Sequence, residues 1–128
     1  MLDTDICIHV INARPEKLIQ KFERHAAQIC MSSIALAELL YGAEKSTRRQ
    51  ASLETVANFA ARLEVMAFAE GAAVHYGQIR AELERAGTPV GTHDMLIAAH
   101  ARSEGLVIVT RNRREFDRIA GLRVENWL

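Results

Sequence analysis

Four carboxylates in this 128-residue chain, drawn from separate segments, could act together: Asp3 in "MLDTDICIHV" and Glu38 in "SSIALAELLYG", both among apolar neighbours, Asp94 in "GTPVGTHDMLIAAHA" and Glu115 in "TRNRREFDR". Asp3, flanked by Leu2 and Thr4 in an apolar strand start, needs a compensating partner. Asp5 could cap a first helix at Ile6 or add a further charge beside Asp3. On a helix, Glu38 shares its face with Ile34, Ala35, Tyr41 and Gly42, so it belongs to no solvated charge stripe and should meet a cation or a metal. Asp94 opens a helix, where any acid is favoured by the macrodipole. Asn112 and Glu115 have the spacing of a capping box, and Glu115 could also serve as a fourth acid, with Thr110 and Asn112 as neutral oxygen donors beside it.

Acids drawn from separate segments repel one another unless a cation lies among them. The lysines are Lys17, Lys21 and Lys45 only, so none comes from the later segments. A hard divalent ion, Mg²⁺ or Mn²⁺, is the economical answer, because both take carboxylate and water oxygens. Such a centre activates water and stabilises the attacking and leaving oxygens of a phosphodiester, with two ions ~3.5–4 Å apart where two are bound. That is nuclease chemistry. Haloacid dehalogenase-like phosphatases and receiver domains also open on Asp-x-Asp, but both need a late lysine. A non-catalytic binding scaffold would have no use for three self-repelling acids.

The elements that must position these residues read as α/β. Strand-like runs at 1–4, 29–33, 64–68, 106–110 and 123–125 alternate with "PEKLIQKFERHAAQ", "IALAELLYGAEK", "RRQASLETVANFAARL", "AEGAAVHYGQIRAELERAG" and "HDMLIAAHARSEG", whose apolar positions recur at helical spacing. The alternation predicts one domain over residues 1–128, built on a mainly parallel sheet. Pro15 suits a first helical turn, Ser46 or Thr47 a helix cap, and Gly105 a helix stop. Gly87, Pro89 and Gly91 mark a loop. In a parallel sheet the crevice lies beyond the carboxyl ends of the strands, where the acids would meet.

With 49% hydrophobic and 25% charged residues the chain is a compact globule and not a disordered one, and its formal charge of zero means that nucleic-acid binding must come from a local patch. Arg111, Arg113, Arg114 and Arg118 form such a patch. Arg111 and Arg114 are the candidates for phosphate contact, while Arg113 and Arg118 fit a solvated helix face pairing with Glu115 and Asp117 equally well. With aromatics at 5%, recognition by shape and phosphate geometry is favoured over a stacking platform. Cys7 and Cys30 lack metal spacing and read as reduced core thiols. His93 reads as an exposed loop histidine or an RNA contact, and His9, His25, His75 and His100 as ordinary surface or half-buried residues. The chain shows no signal-peptide pattern and no membrane span, so a cytoplasmic protein is expected. Apolar surplus around "LLYGAEKS" and "ARLEVMAFAEGAAVHYGQI" suits extra core packing, a dimer contact or a partner groove.

"MLDTDICIHVI", "SSIALAELLYGAEKS", "GQIRAELERAGTPVGTHDMLIAAHA" and "LVIVTRNRREFDRIAGLRVENW" together resemble, in order and over nearly the whole chain, the PIN-domain ribonucleases and among them the VapC toxins of toxin–antitoxin pairs, closest to the enteric-type group that cleaves initiator tRNA in its anticodon stem-loop. The resemblance implies an α/β/α sandwich with a central mainly parallel β-sheet, a Mg²⁺- or Mn²⁺-dependent endoribonuclease, a homodimer, and a VapB-like antitoxin that blocks the crevice and supplies DNA binding. It carries Asp3, Glu38 and Asp94 over as metal ligands. Asn112 stands where many PIN domains have Asp, with Glu115 as the substitute, and Asp5 stands where this group commonly has Asn.

Overall fold

A computed structural model describes residues 1–13 and 15–128. Four short strands, β1 (Cys30–Ser32), β2 (Glu64–Met66), β3 (Ile108–Val109) and β4 (Val124–Glu125), pair in parallel as β1 with β2 and β3 with β4. The expected first strand is reduced to Leu2, which bridges Met31 on one side and Val109 on the other. Leu2 N donates to Cys30 O at 2.9 Å, and Asp3 N to Val109 O at 3.0 Å. One parallel sheet results, in the order β2, β1, Leu2, β3, β4. The sequence placed this strand at 1–4; it stops short because Asp3 turns the chain directly into α1 (Thr4–Ile8).

A wider π-helical turn, His9–Ala13, continues α1 and is followed by α2 (Glu16–Arg24), with Pro15 at the cap position and not inside the first turn. Strand β1 runs without a loop into α3 (Ser33–Glu44), and α4 (Arg49–Ala60) packs against α3. Neither Ser46 nor Thr47 caps α4. Instead, Ser46 Oγ accepts from Arg48 N at 3.1 Å and from the Ser52 hydroxyl at 3.0 Å, which fastens the turn ahead of the helix. Strand β2 ends at Met66, earlier than expected, because Phe68 N leaves the sheet to donate to Ser33 Oγ at 3.0 Å.

The longest helix, α5 (Glu70–Ala86), lies against α6 (Thr92–Ser103), and α7 (Arg113–Phe116) precedes β4. Gly87 and Gly105 follow α5 and α6 with φ of 69° and 66°, the left-handed conformation that glycine adopts without a Cβ penalty. The core is centred on the sheet. Leu2, Met31 and Ile108 from the strands are fully buried together with Ile6, Leu18, Phe22, Ile79, Ile97 and Phe116 from the helices. Phe22 stacks on Phe59, which closes α2 against α4. Cys7 and Cys30 are buried free thiols, as read from the sequence, and burial pushes both thiols up from their usual range.

Candidate functional site

The carboxyl edge of the sheet is where the acids gather. Asp3 leaves Leu2 at this edge and is the N-cap of α1: its Oδ1 accepts from Ile6 N at 2.8 Å. The capping role that the sequence offered to Asp5 therefore belongs to Asp3. Asp3 is nonetheless only 3% exposed, and burial pushes its carboxyl up to about 6. The Thr110 hydroxyl, the Ile6 amide and the Arg111 charge act in the opposite direction, while Asp5 adds to the rise. Thr110, at the end of β3, is fully buried and thus serves Asp3 from the neighbouring strand.

Glu38 is reached through the β1–α3 junction. Ser32 ends the strand and caps the helix, its Oγ accepting from Ile34 N at 3.1 Å, so the first turns of α3 project from the sheet edge with Glu38 on the crevice side. Its side chain is 26% exposed and held from both sides: Thr4 donates to Oε1 at 2.7 Å, and His93 Nδ1 lies 3.2 Å from Oε2. The Thr4 hydroxyl and the His93 ring are thus the protein partners of the Glu38 carboxyl. His93 is exposed, as one reading of the sequence has it, but it lies in the first turn of α6 and not in a loop, because the helix begins at Thr92.

Asp94 sits in the first turn of α6. Burial, then a contact with the Glu115 carboxyl, then the charges of Glu115, Asp3 and Glu38 push its carboxyl up to about 7. Asp94 thus feels the other three predicted acids in one crevice, although these come from the α1 cap, α3 and α7. Glu115 is free to face Asp94 because the expected capping box does not form: Asn112 makes no side-chain cap bond, and its amide instead donates to Thr110 Oγ1 at 2.8 Å. Asn112 itself is exposed.

Asp5 is half-exposed and bound to Arg111 Nε at 2.8 Å, so its charge is offset by a guanidinium. Arg113 pairs with Asp117 at 3.1 Å and donates to Val124 O, and Arg118 donates to Pro89 O at 2.7 Å. These two are structural, and Arg118 fastens the loop that leads into α6. Arg114 is exposed on α7.

His100 departs from the sequence expectation of a surface or half-buried residue: it is 1% exposed, with Nδ1 at 2.7 Å from Ser32 Oγ and Phe68 edge-on to its ring. The small residues around it in "LIAAHA" bring α6 close enough to the sheet for α6 to reach the cap of α3. Burial holds the imidazole below its usual range.

Among the described residues no three His, Cys, Asp or Glu side chains are grouped tightly enough to hold an ion as they stand, and Asp3 and Glu38 are engaged by protein donors. The donor set still fits a hard divalent cation: oxygen ligands only, with two carboxyls raised by burial and by neighbouring acids, whose repulsion a positive charge would relieve.

A PIN domain family model matches residues 1–122. The chain is 53% identical over 127 residues to the tRNA(fMet)-specific endonuclease VapC of Salmonella typhimurium, covering 99% of this chain and 96% of that protein. It is 46% identical over 128 residues to Ribonuclease VapC2 of Haemophilus influenzae, covering 100% and 97% respectively. Among solved structures, DNA-bound VapBC from Salmonella typhimurium matches with a TM-score of 0.97 at 52% identity, over 100% of this chain and 97% of that one. VapBC2 from Rickettsia felis, bound to a DNA fragment from their promoter, matches with a TM-score of 0.95 at 41% identity, over 100% and 98%.

Proposed function

The chain belongs to the PIN-domain family and, within it, to the VapC proteins, and from that premise we propose that it is a divalent-metal-dependent endoribonuclease toxin that cuts tRNA: the initiator tRNA, by analogy with the relatives named tRNA(fMet)-specific endonuclease, and in its anticodon stem-loop, as the family resemblance implies. The observation that carries this reading is the convergence of Asp3, Glu38 and Glu115 on Asp94 in one crevice, expressed in the rise of the Asp94 carboxyl to about 7. Asp3, Glu38, Asp94 and Glu115 would hold Mg²⁺, with Mn²⁺ as a substitute. Bound there, the ion would offset charge on the scissile phosphate and make water a stronger nucleophile at neutral pH.

The chain's own residues supply the frame for that chemistry. Thr110 and the Ile6 amide fix Asp3, and Thr4 and His93 fix Glu38, so both carboxylates are oriented before RNA arrives. Arg111 and Arg114, exposed beside the acids, are suited to binding backbone phosphates, which position the RNA without reading its bases.

The partner is a VapB-like antitoxin, since solved relatives are VapBC assemblies. A cleft of about 510 Å³ between the π-helical turn, α3 and α4 is lined by Ile8, Ile11, Leu39 and Val56 and reaches Glu38. An antitoxin segment seated there would also cover the crevice. DNA contact would come only through the antitoxin, and the toxin itself would be a homodimer. No described helix is long and apolar enough to cross a membrane, and a cytoplasmic location suits a tRNA substrate.

The test is to incubate the purified protein with total tRNA in Mn²⁺ or in EDTA and to map the cut ends, with Asp94→Ala alongside. Discrete cuts that need the ion are expected, with a loss of more than about 100-fold in the variant. Full cleavage by Asp94→Ala, or in EDTA, would refute the assignment.

A further inference from the structure

Arg111 is suited to binding a backbone phosphate, but its ion pair with Asp5 has no part in the chemistry described so far. It stands at the mouth of the crevice: Asp5 lies two residues beyond Asp3, and Arg111 directly follows Thr110. Both charges reach the Asp3 carboxyl, with opposite sign. The two side chains are each 43% exposed, and exposed ion pairs contribute little to stability, so stability does not account for the pairing.

The geometry of the contact is more informative. Asp5 Oδ2 engages only Nε of the guanidinium, at 2.8 Å, and among the described residues Nη1 and Nη2 have no hydrogen-bond partner. Arg113 and Arg118, by contrast, already give Nη donors to backbone carbonyls. A guanidinium fixed through Nε presents its two terminal groups in one plane, the arrangement that binds two oxygens of a phosphate. The charge of Asp5, which alone would repel RNA, is offset by the same contact.

Resting on the ribonuclease reading above, we infer that Asp5 is a positioning residue that holds Arg111 by Nε and directs its Nη groups at an RNA backbone phosphate beside Asp3. Asp5 then acts on RNA only through Arg111, so the two positions must be coupled in binding. Because both side chains are half-exposed, substitutions there should leave the fold intact, which a melting curve checks.

The experiment measures binding of bulk tRNA in EDTA, over a range of salt, for wild type, Asp5→Ala, Asp5→Asn, Arg111→Gln and the Asp5→Ala/Arg111→Gln double variant. Arg111→Gln should weaken binding roughly three- to tenfold and reduce the slope of log affinity against log salt by about 0.7–0.9, the loss of one phosphate contact. Asp5→Ala should weaken binding roughly threefold, Asp5→Asn should recover most of that because its amide oxygen still accepts from Nε, and the double variant should bind no worse than Arg111→Gln. Unchanged or tighter binding by Asp5→Ala, additive losses in the double variant, or a wild type that binds no tRNA would each overturn the inference. Cleavage in Mg²⁺ is scored separately. Cleavage by wild type without the coupling overturns this inference alone, and coupled binding without cleavage overturns the ribonuclease reading.

Discussion

Asp94 and Asp3 carry the strain of the crevice in their protonation. Both carboxyls are raised above their ordinary 3.8, to about 7 and about 6, by burial first and by neighbouring acids after it. A group raised on folding is held protonated more firmly by the folded chain. Its contribution to stability is therefore fully present below 3.8 and is lost as pH rises through about 6 for Asp3 and about 7 for Asp94. In EDTA, the melting temperature should fall between about pH 4 and about pH 7, and Asp94→Asn, which removes one charge, should flatten that fall. An identical fall in the variant would mean that Asp94 does not carry it.

Elements place these residues by sharing hydrogen bonds across their ends. Ser32 is the clearest case, because its hydroxyl oxygen ends β1, caps α3 and meets His100 of α6, so that the helix bearing Glu38 and the helix bearing Asp94 are referenced to one buried atom. Ser32→Ala removes the cap and leaves His100 Nδ1 buried without a partner; His100 Nε2 already has none among the described residues. The expected cost is about 2–4 kcal/mol, the sum of a lost cap and an unsatisfied buried group. It is read as a lower urea midpoint at constant slope, and a change under about 0.5 kcal/mol would mean that the contact is incidental.

For the molecule as a whole, a net charge of zero leaves no general attraction for RNA or for cations. Binding of a divalent ion must come from the acid crevice, and its stabilisation follows mass action. At about 100 times the dissociation constant, Mg²⁺ or Mn²⁺ should add ~2.7 kcal/mol to the wild type near pH 8. The gain should shrink near pH 5, where the raised carboxyls keep their protons, and should largely disappear in Asp94→Ala. Equal stabilisation of that variant would place the ion elsewhere.

Much of this was legible in the amino-acid order because it depends on local pattern. Helical spacing, the punctuation at Gly87 and Gly105 and the alternation of strand and helix report nearby physics, and acids among apolar neighbours identified Asp3 and Glu38 as residues in need of partners. What tertiary structure decided is who the partners are. Asp3 and not Asp5 caps α1 because the chain turns at the sheet edge. Asn112 forms no capping box because its amide goes to Thr110, His100 is buried because α6 packs on the cap of α3, and Asp5 finds Arg111 across the fold. Each of these contacts joins segments through space or depends on the exact direction of a turn, and hydrogen bonding at that range leaves no periodic mark on the chain.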